Sequence, residues 1–248
     1  MLLYGAKHGD LPNDAACISC GACAAICPVG AVGQDLNPER IQSPLNLPNA
    51  EAELLALRSR RSVRNFTPES IPEAVVRDVL GAGACAPSGG NRHPISAMVV
   101  QDPQIISDLR RRGWELLAQR ASAWSKSEDS AKRHFSRYFS RVYGSSDPGQ
   151  AEDRLFFGAK TLFLIVGRER FICDAAMTAS AMERLVYAHG FGGVYCGFFT
   201  NAVRSDPEIH HKLGMQEQDE ILLTFAAGRP KYAFGSLVPR RPLRVTWL

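Results

Sequence analysis

Residues 60–66 read Arg-Arg-Ser-Val-Arg-Asn-Phe, and residues 86–94 read Ala-Pro-Ser-Gly-Gly-Asn-Arg-His-Pro. The first stretch gathers three cations and a hydroxyl directly after a helical segment. Guanidinium groups make paired hydrogen bonds to phosphate and stack on planar electron-rich rings. A basic cluster alone more often just faces solvent, so the second stretch carries weight. Its glycines let the backbone approach a ligand closely, and Asn91 offers both a donor and an acceptor. Near the chain end, Arg240-Arg241-Pro242 adds further cations.

Between these stretches, Gly81-Ala82-Gly83-Ala84-Cys85-Ala86 fits the dinucleotide pattern G-x-G-x-x-A. That pattern works only when a strand precedes it and a helix follows. Here a helical segment precedes and a proline loop follows, which argues against a Rossmann site.

Working outward, residues 51–61 read as a helix with Leu54, Leu55 and Leu57 on one side. Pro72 to Ala84 is a second, with Pro72 in the first turn and Val75, Val76, Val79 and Leu80 at helical spacing. Gln104–Gln119 is an amphipathic helix, and Asp174–His189 is a helix of small residues ended by Gly190. Ile95–Gln101, Thr161–Gly167 and Ile221–Ala227 are strand candidates. Residues 120–153 are polar with interspersed aromatics and read as a helical lid or a mobile insertion. Their aromatics, with Trp114, read as lid residues or as ordinary helix packing. Too few strands alternate with helices for a doubly wound fold, which favours α+β.

Apolar residues form 45% of the 248 and charged residues 22%, enough to bury a sizeable core. The net charge of +4 is too small to point to nucleic acid or a membrane surface. The opening MLLYGAKHGD lacks the pattern of a secretory signal, and the longest apolar run, Thr161–Gly167, is too short to span a bilayer. The expectation is a cytoplasmic protein.

Cysteine usage agrees. Of seven cysteines, four stand as Cys17, Cys20, Cys23 and Cys27, followed by Pro28. This C-x2-C-x2-C-x3-C-P run is the spacing of bacterial ferredoxins. Thiolates two residues apart wrap one face of a [4Fe-4S] cubane, and the small residues between them let backbone amides approach its sulfurs. A zinc knuckle is the alternative, although zinc sites usually use two separated pairs. Two all-cysteine cubanes need more thiolates than the chain has, so one chain holds at most one. Either Cys27 closes it, or one of Cys85, Cys173 and Cys196 does so from afar. The domain reading is residues 1–34 as a ferredoxin-like iron–sulfur segment, 35–50 as a proline-rich linker and 51–248 as the main domain.

Taken in order, the arginine–serine stretch, the P-S-x-x-N stretch and the basic tail resemble the nitroreductase family of FMN enzymes over roughly residues 54–248. A ferredoxin motif before such a domain also resembles a known subgroup, whose members usually carry two motifs where this chain has one. The resemblance implies helices around a mainly antiparallel sheet and a homodimer. It implies that Arg60, Arg61, Ser62 and Arg64 touch the FMN phosphate, ribityl chain and ring. Pro87, Ser88 and Asn91 match a second motif that often comes from the partner subunit. Arg240 and Arg241 match a tail that closes on the phosphate, and Tyr195, Cys196 and Gly197 fall where backbone amides approach the flavin N5 edge. His93 stands where many members have glutamine. The implied activity is ping-pong reduction of a small organic acceptor, such as a nitroaromatic or quinone. NAD(P)H or reduced ferredoxin is the donor and the cluster a one-electron relay. No Ser/His/Asp set or carboxylate pair stands out, so no catalytic residue is assigned. An iron–sulfur redox sensor or electron-transfer module without turnover, and a non-redox zinc protein, are the rival readings.

Overall fold

A computed structural model describes residues 17–27, 48–143 and 153–248. The rest of the expected iron–sulfur segment and linker, and residues 144–152, lie outside the described residues.

Strand β2 (Thr161–Gly167) is buried along its whole length. Its apolar run has no solvent face to give up, so both sides must be covered. It pairs antiparallel with β1 (Ser96–Val100) on one side and with β4 (Glu220–Gly228) on the other. β3 (Gly192–Tyr195) pairs antiparallel with β4, giving the order β1-β2-β4-β3 among the described residues.

Side chains alternate across a strand, and β2 uses this to serve two cores. Leu162, Leu164 and Val166 pack in one core with Leu109 and Leu117 of α4 (Pro103–Trp124) and Phe199 of α7 (Gly197–Val203). Phe163 and Ile165 pack in the other with Val76 and Val79 of α3 (Glu73–Ala84) and Met182 and Val186 of α6 (Ile172–Ala188). The result is the expected α+β architecture, with a small antiparallel sheet between helical layers.

The remaining helices are α1 (Ala22–Ile26), α2 (Ala50–Ser59), α5 (Ser130–Tyr143) and α8 (Pro207–Leu213). α2 starts at Ala50 because Asn49 caps it, accepting the Ala52 N–H at 2.9 Å. Asp102 caps α4 in the same way, and α4 runs on past the expected end at Gln119 to Trp124. Leu117 and Ala121, four apart and both buried, explain the extra turn. The polar stretch after it forms α5, which lies against α4 through Trp114 and Phe139 with ring centroids 5.0 Å apart. Among the described residues no helix is long and apolar enough to cross a membrane.

Two surfaces stand out. No residue of α2 is buried, and Leu54, Leu55 and Leu57 are each at least half exposed. Residues 231–248 are exposed throughout, Leu243 and Trp247 among them.

Candidate functional site

The 60–66 stretch forms no helix or strand of its own and is pinned across one end of the sheet. Ser62 bridges Gly193 of β3, and the Val63 N–H donates to the Gly193 carbonyl at 3.0 Å. Beyond it, the Asn65 carbonyl accepts from the Lys231 N–H at 2.9 Å, and Phe66 bridges Pro230. Val63 alone of this group is buried, and it anchors the arginines around it. The approach is close because Gly192 has no side chain: a Cβ there would lie 2.5 Å from Val63 Cγ2.

Each cation then has a definite place. Arg60 Nη1 donates to Glu183 Oε1 at 3.2 Å, and the Glu183 carboxylate on α6 is almost fully buried. Arg61 lies over the ring of Phe234 and Arg64 over that of Phe157, at 6.0 and 5.7 Å. Arg64 and Asn65 line a cavity of about 700 Å³ whose other walls include Tyr195, Gly197, Phe198 and Arg154. α5 contributes Tyr138, stacked on Phe198 at 5.6 Å. Part of the polar insertion is therefore one wall of the cavity.

Residues 195–197 divide their roles. Tyr195 is partly exposed and packs on Phe225 at 5.3 Å. Burial of its hydroxyl, with the Glu183 carboxylate nearby, holds its pKa well above the usual tyrosine value, so it stays a neutral hydrogen-bonding group. The Cys196 side chain turns into the core, and burial pushes its thiol up to about 12. Its N–H is spent on the Thr224 carbonyl at 2.8 Å. It is thus no metal ligand or nucleophile as it stands. Gly197 opens α7, and a Cβ there would meet nothing within 4 Å, so the backbone is open towards the cavity.

The second stretch lies elsewhere. Pro87, Ser88 and His93 line a separate cavity of about 360 Å³ with Asp174 and Met182. Within one chain they are not lining residues of the cavity that Arg64 faces. Asn91 donates to the carbonyls of Ile18 and Ser19 at 3.2 and 3.0 Å, so its amide is turned to the cysteine segment. Arg240 reaches back to the first stretch, but its guanidinium donates to the Arg60 carbonyl at 2.6 Å and to that of Arg58 at 3.5 Å. It caps the end of α2, where a cation also meets the negative end of the helix dipole. Arg241 is exposed.

Of the four clustered cysteines, Cys17 and Cys20 are exposed and Cys23 and Cys27 half-buried. The Ser19 N–H points to Cys17 Sγ at 3.4 Å, an amide-to-sulfur bond of the kind that supports a metal thiolate. Yet among the described residues no three His, Cys, Asp or Glu side chains converge as a metal-holding group. The donors have the right chemistry for iron, but their placement does not fit a closed cluster. Sequence reasoning missed Glu183. Its one signal is a charged residue in a helix of small and apolar ones, and its partner lies 123 positions away.

A model of the nitroreductase family matches residues 57–229. An iodotyrosine deiodinase of Drosophila melanogaster is 24% identical over 216 residues, 80% of this chain and 66% of that protein. An NADH dehydrogenase of Thermus thermophilus is 39% identical over 64 residues, 26% of this chain and 31% of that protein. The chain thus spans less than two thirds of the length of these curated relatives. A crystallised nitroreductase with bound FMN from Bacteroides fragilis matches at a TM-score of 0.58 and 22% identity, over 79% of this chain and 97% of that one. At that identity the likeness concerns the fold.

Proposed function

The chain belongs to the nitroreductase family, and from that premise we propose that it is an FMN-dependent oxidoreductase reducing a small organic acceptor such as a nitroaromatic or quinone. NAD(P)H or reduced ferredoxin is the donor in this reading. One observation carries it: a segment of three arginines is fixed to the sheet edge beside a cavity of about 700 Å³. The fit to FMN is one of donor chemistry. Cations for a phosphate, an open backbone at Gly197 and aromatic walls occur together.

When bound, FMN supplies reversible acceptance of two electrons; the protein supplies position and electrostatics. Arg64 brings positive charge to the cavity, which favours an anionic cofactor and its reduced form. Glu183 fixes Arg60, so that guanidinium is held in place before any ligand arrives. Tyr138 and Phe198 present flat apolar surface to a planar acceptor and exclude water from that side. Tyr195 keeps its proton at neutral pH and is a hydrogen-bond donor at the rim.

We read the working form as a homodimer. The exposed leucines of α2 and the exposed apolar tail leave apolar surface for a second copy to cover. A partner's Pro87–Ser88 loop would also complete the cavity that this chain's own loop does not reach. The four cysteines are proposed to hold a [4Fe-4S] cluster, on their spacing and the amide bond to Cys17 Sγ. Holding iron requires them to close together, and no step of the reaction is assigned to it.

The visible spectrum of anaerobically purified protein, with and without NADPH, tests the proposal. Flavin bands that NADPH bleaches are expected with a nicotinamide donor; bands bleached only by reduced ferredoxin assign the other donor. Folded protein that takes up no FMN refutes the reading. Arg60→Ala should lose most of the bound flavin, and iron analysis of Cys20→Ser tests the cluster independently.

A further inference from the structure

The hydrogen bonds of Asn91 join two parts of the molecule that the flavin reading leaves unconnected. Its Nδ2 donates to the Ile18 and Ser19 carbonyls, which lie in the turn between Cys17 and Cys20. That turn is tight, with Ser19 at φ 51°, and Gly21 just beyond it at φ 71° leads into α1. The amide cannot swivel freely, because Asn91 Oδ1 is held by His93 Nε2 at 2.9 Å. The Ile18 and Ser19 carbonyls can only accept, so the amide nitrogen faces them, Oδ1 faces His93, and Nε2 of that ring carries the proton. The His93 N–H in turn donates to Ser88 Oγ at 3.0 Å, and the Gly89 N–H to Asp174 Oδ1 at 3.2 Å. Ser88, His93 and Asp174 all line the second cavity.

A continuous line of hydrogen bonds therefore runs from the cysteine turn through Asn91 and His93 to the cavity wall. The loop that carries it is bent to suit: Gly90, Asn91 and His93 all have positive φ, at 61°, 54° and 45°. Asparagine and histidine are among the non-glycine residues found most often in that region, so these side chains suit the bend. The hydrogen bonds of Asn91, His93 and Gly89 hold the loop in that bend.

We propose that Asn91 is a positioning residue that latches the cysteine turn to the wall of the second cavity, so that a change at Cys17 or Cys20 alters that wall. The inference goes beyond the flavin reading and is the same whatever group the cysteines hold. The test measures both ends of the line.

The experiment is amide hydrogen exchange by mass spectrometry on the full chain. Asn91→Asp keeps the size and the tolerance of positive φ but replaces the donating amide by an acceptor. Residues 17–27 should then exchange about tenfold faster, as expected for losing two ordinary hydrogen bonds. Strand β2 is the internal control for folding. In the reverse direction, Cys85→Ser with Cys173→Ser removes the other exposed thiols, and Cys17 and Cys20 are then alkylated after a chelator has removed any bound metal. Exchange at residues 88–93 should rise. Exchange of 17–27 that is as slow in Asn91→Asp as in the unchanged chain, or unprotected in both, overturns the latch. A loop at 88–93 indifferent to alkylation overturns the transmission. Flavin content enters neither readout, so the latch and the flavin reading fail separately.

Discussion

Replacing Gly192 by alanine tests how the arginine segment is held. The new Cβ would lie 2.5 Å from Val63 Cγ2 and 3.1 Å from Val63 Cβ, with Pro230 Cγ at 3.1 Å. Carbon atoms in contact sit about 3.5–4.0 Å apart, so the first of these is short by roughly 1 Å. Rotating Val63 relieves only the Cγ2 clash, because its Cβ moves with the backbone. Residues 62–63 must therefore lift off β3, straining the Val63 N–H bond to Gly193. Overpacking of this kind costs about 1–3 kcal/mol and a weakened backbone hydrogen bond about 1 kcal/mol more. For a chain of this size that lowers Tm by roughly 5–10 °C. Thermal unfolding measures it, and flavin retained by the purified protein should drop alongside, since Arg60 and Arg64 move with Val63. Adding Val63→Ala removes the Cγ2 clash and should restore part of the loss, a coupling of at least about 1 kcal/mol between the two sites. Gly197→Ala, whose Cβ meets open space, is the control and should leave Tm unchanged. A Gly192→Ala protein that melts with the unchanged chain, or two substitutions that simply add, would refute the close docking.

Asp206 gives a pH signature. Burial alone would raise its pKa, but hydrogen bonds from Arg112 at 2.7 Å and from the Ile209 N–H lower it overall. A carboxylate depressed in the folded state adds stability above its unfolded pKa of about 3.9, lost as pH falls through the folded value. Arg112 keeps Glu115 and Glu208 as partners, so Asp206→Asn should cost about 1.5–2 kcal/mol in urea unfolding at neutral pH and much less near pH 2; equal losses at both contradict the pairing. Cys196, with its thiol pushed up to about 12, should escape maleimide at pH 8 in the folded protein while Cys85 and Cys173 react. Labelling of Cys196 at their rate would show that its burial is wrong.

The parts of the fold legible in the sequence are those where one periodicity repeats long enough to be read. The Thr161–Gly167 run and the valines of α3 announced a central strand and a covering helix, because burial on both faces or on one stripe leaves a plain pattern. β3 escaped notice because it has four residues and two are glycine. α7 and α8, with seven residues each, make only about two helical turns. The site was legible as a list of cations but not as a geometry. Nothing near Arg60 in sequence names Glu183 as its partner, and nothing near Asn91 says that its amide serves Ile18 and Ser19. The Pro87–Ser88 loop and the arginine segment read as one constellation, yet they line different cavities in one chain. Such facts depend on which distant residues the topology brings together, and no local pattern carries them.

The joining of Ser62 to Gly193 and of Asn65 to Lys231 also bears on the order of assembly. Contacts between distant stretches form late, because the chain between them must first lose its freedom. The arginine segment has no strand to lie against until β3 has joined β4, and β4 is the last of the described strands in sequence. A nascent chain released before Lys231 would thus carry all three arginines of the segment and still present no cradle. Formation of the cradle is in this sense a report on completion: only a chain that has finished this sheet sets the three arginines in place.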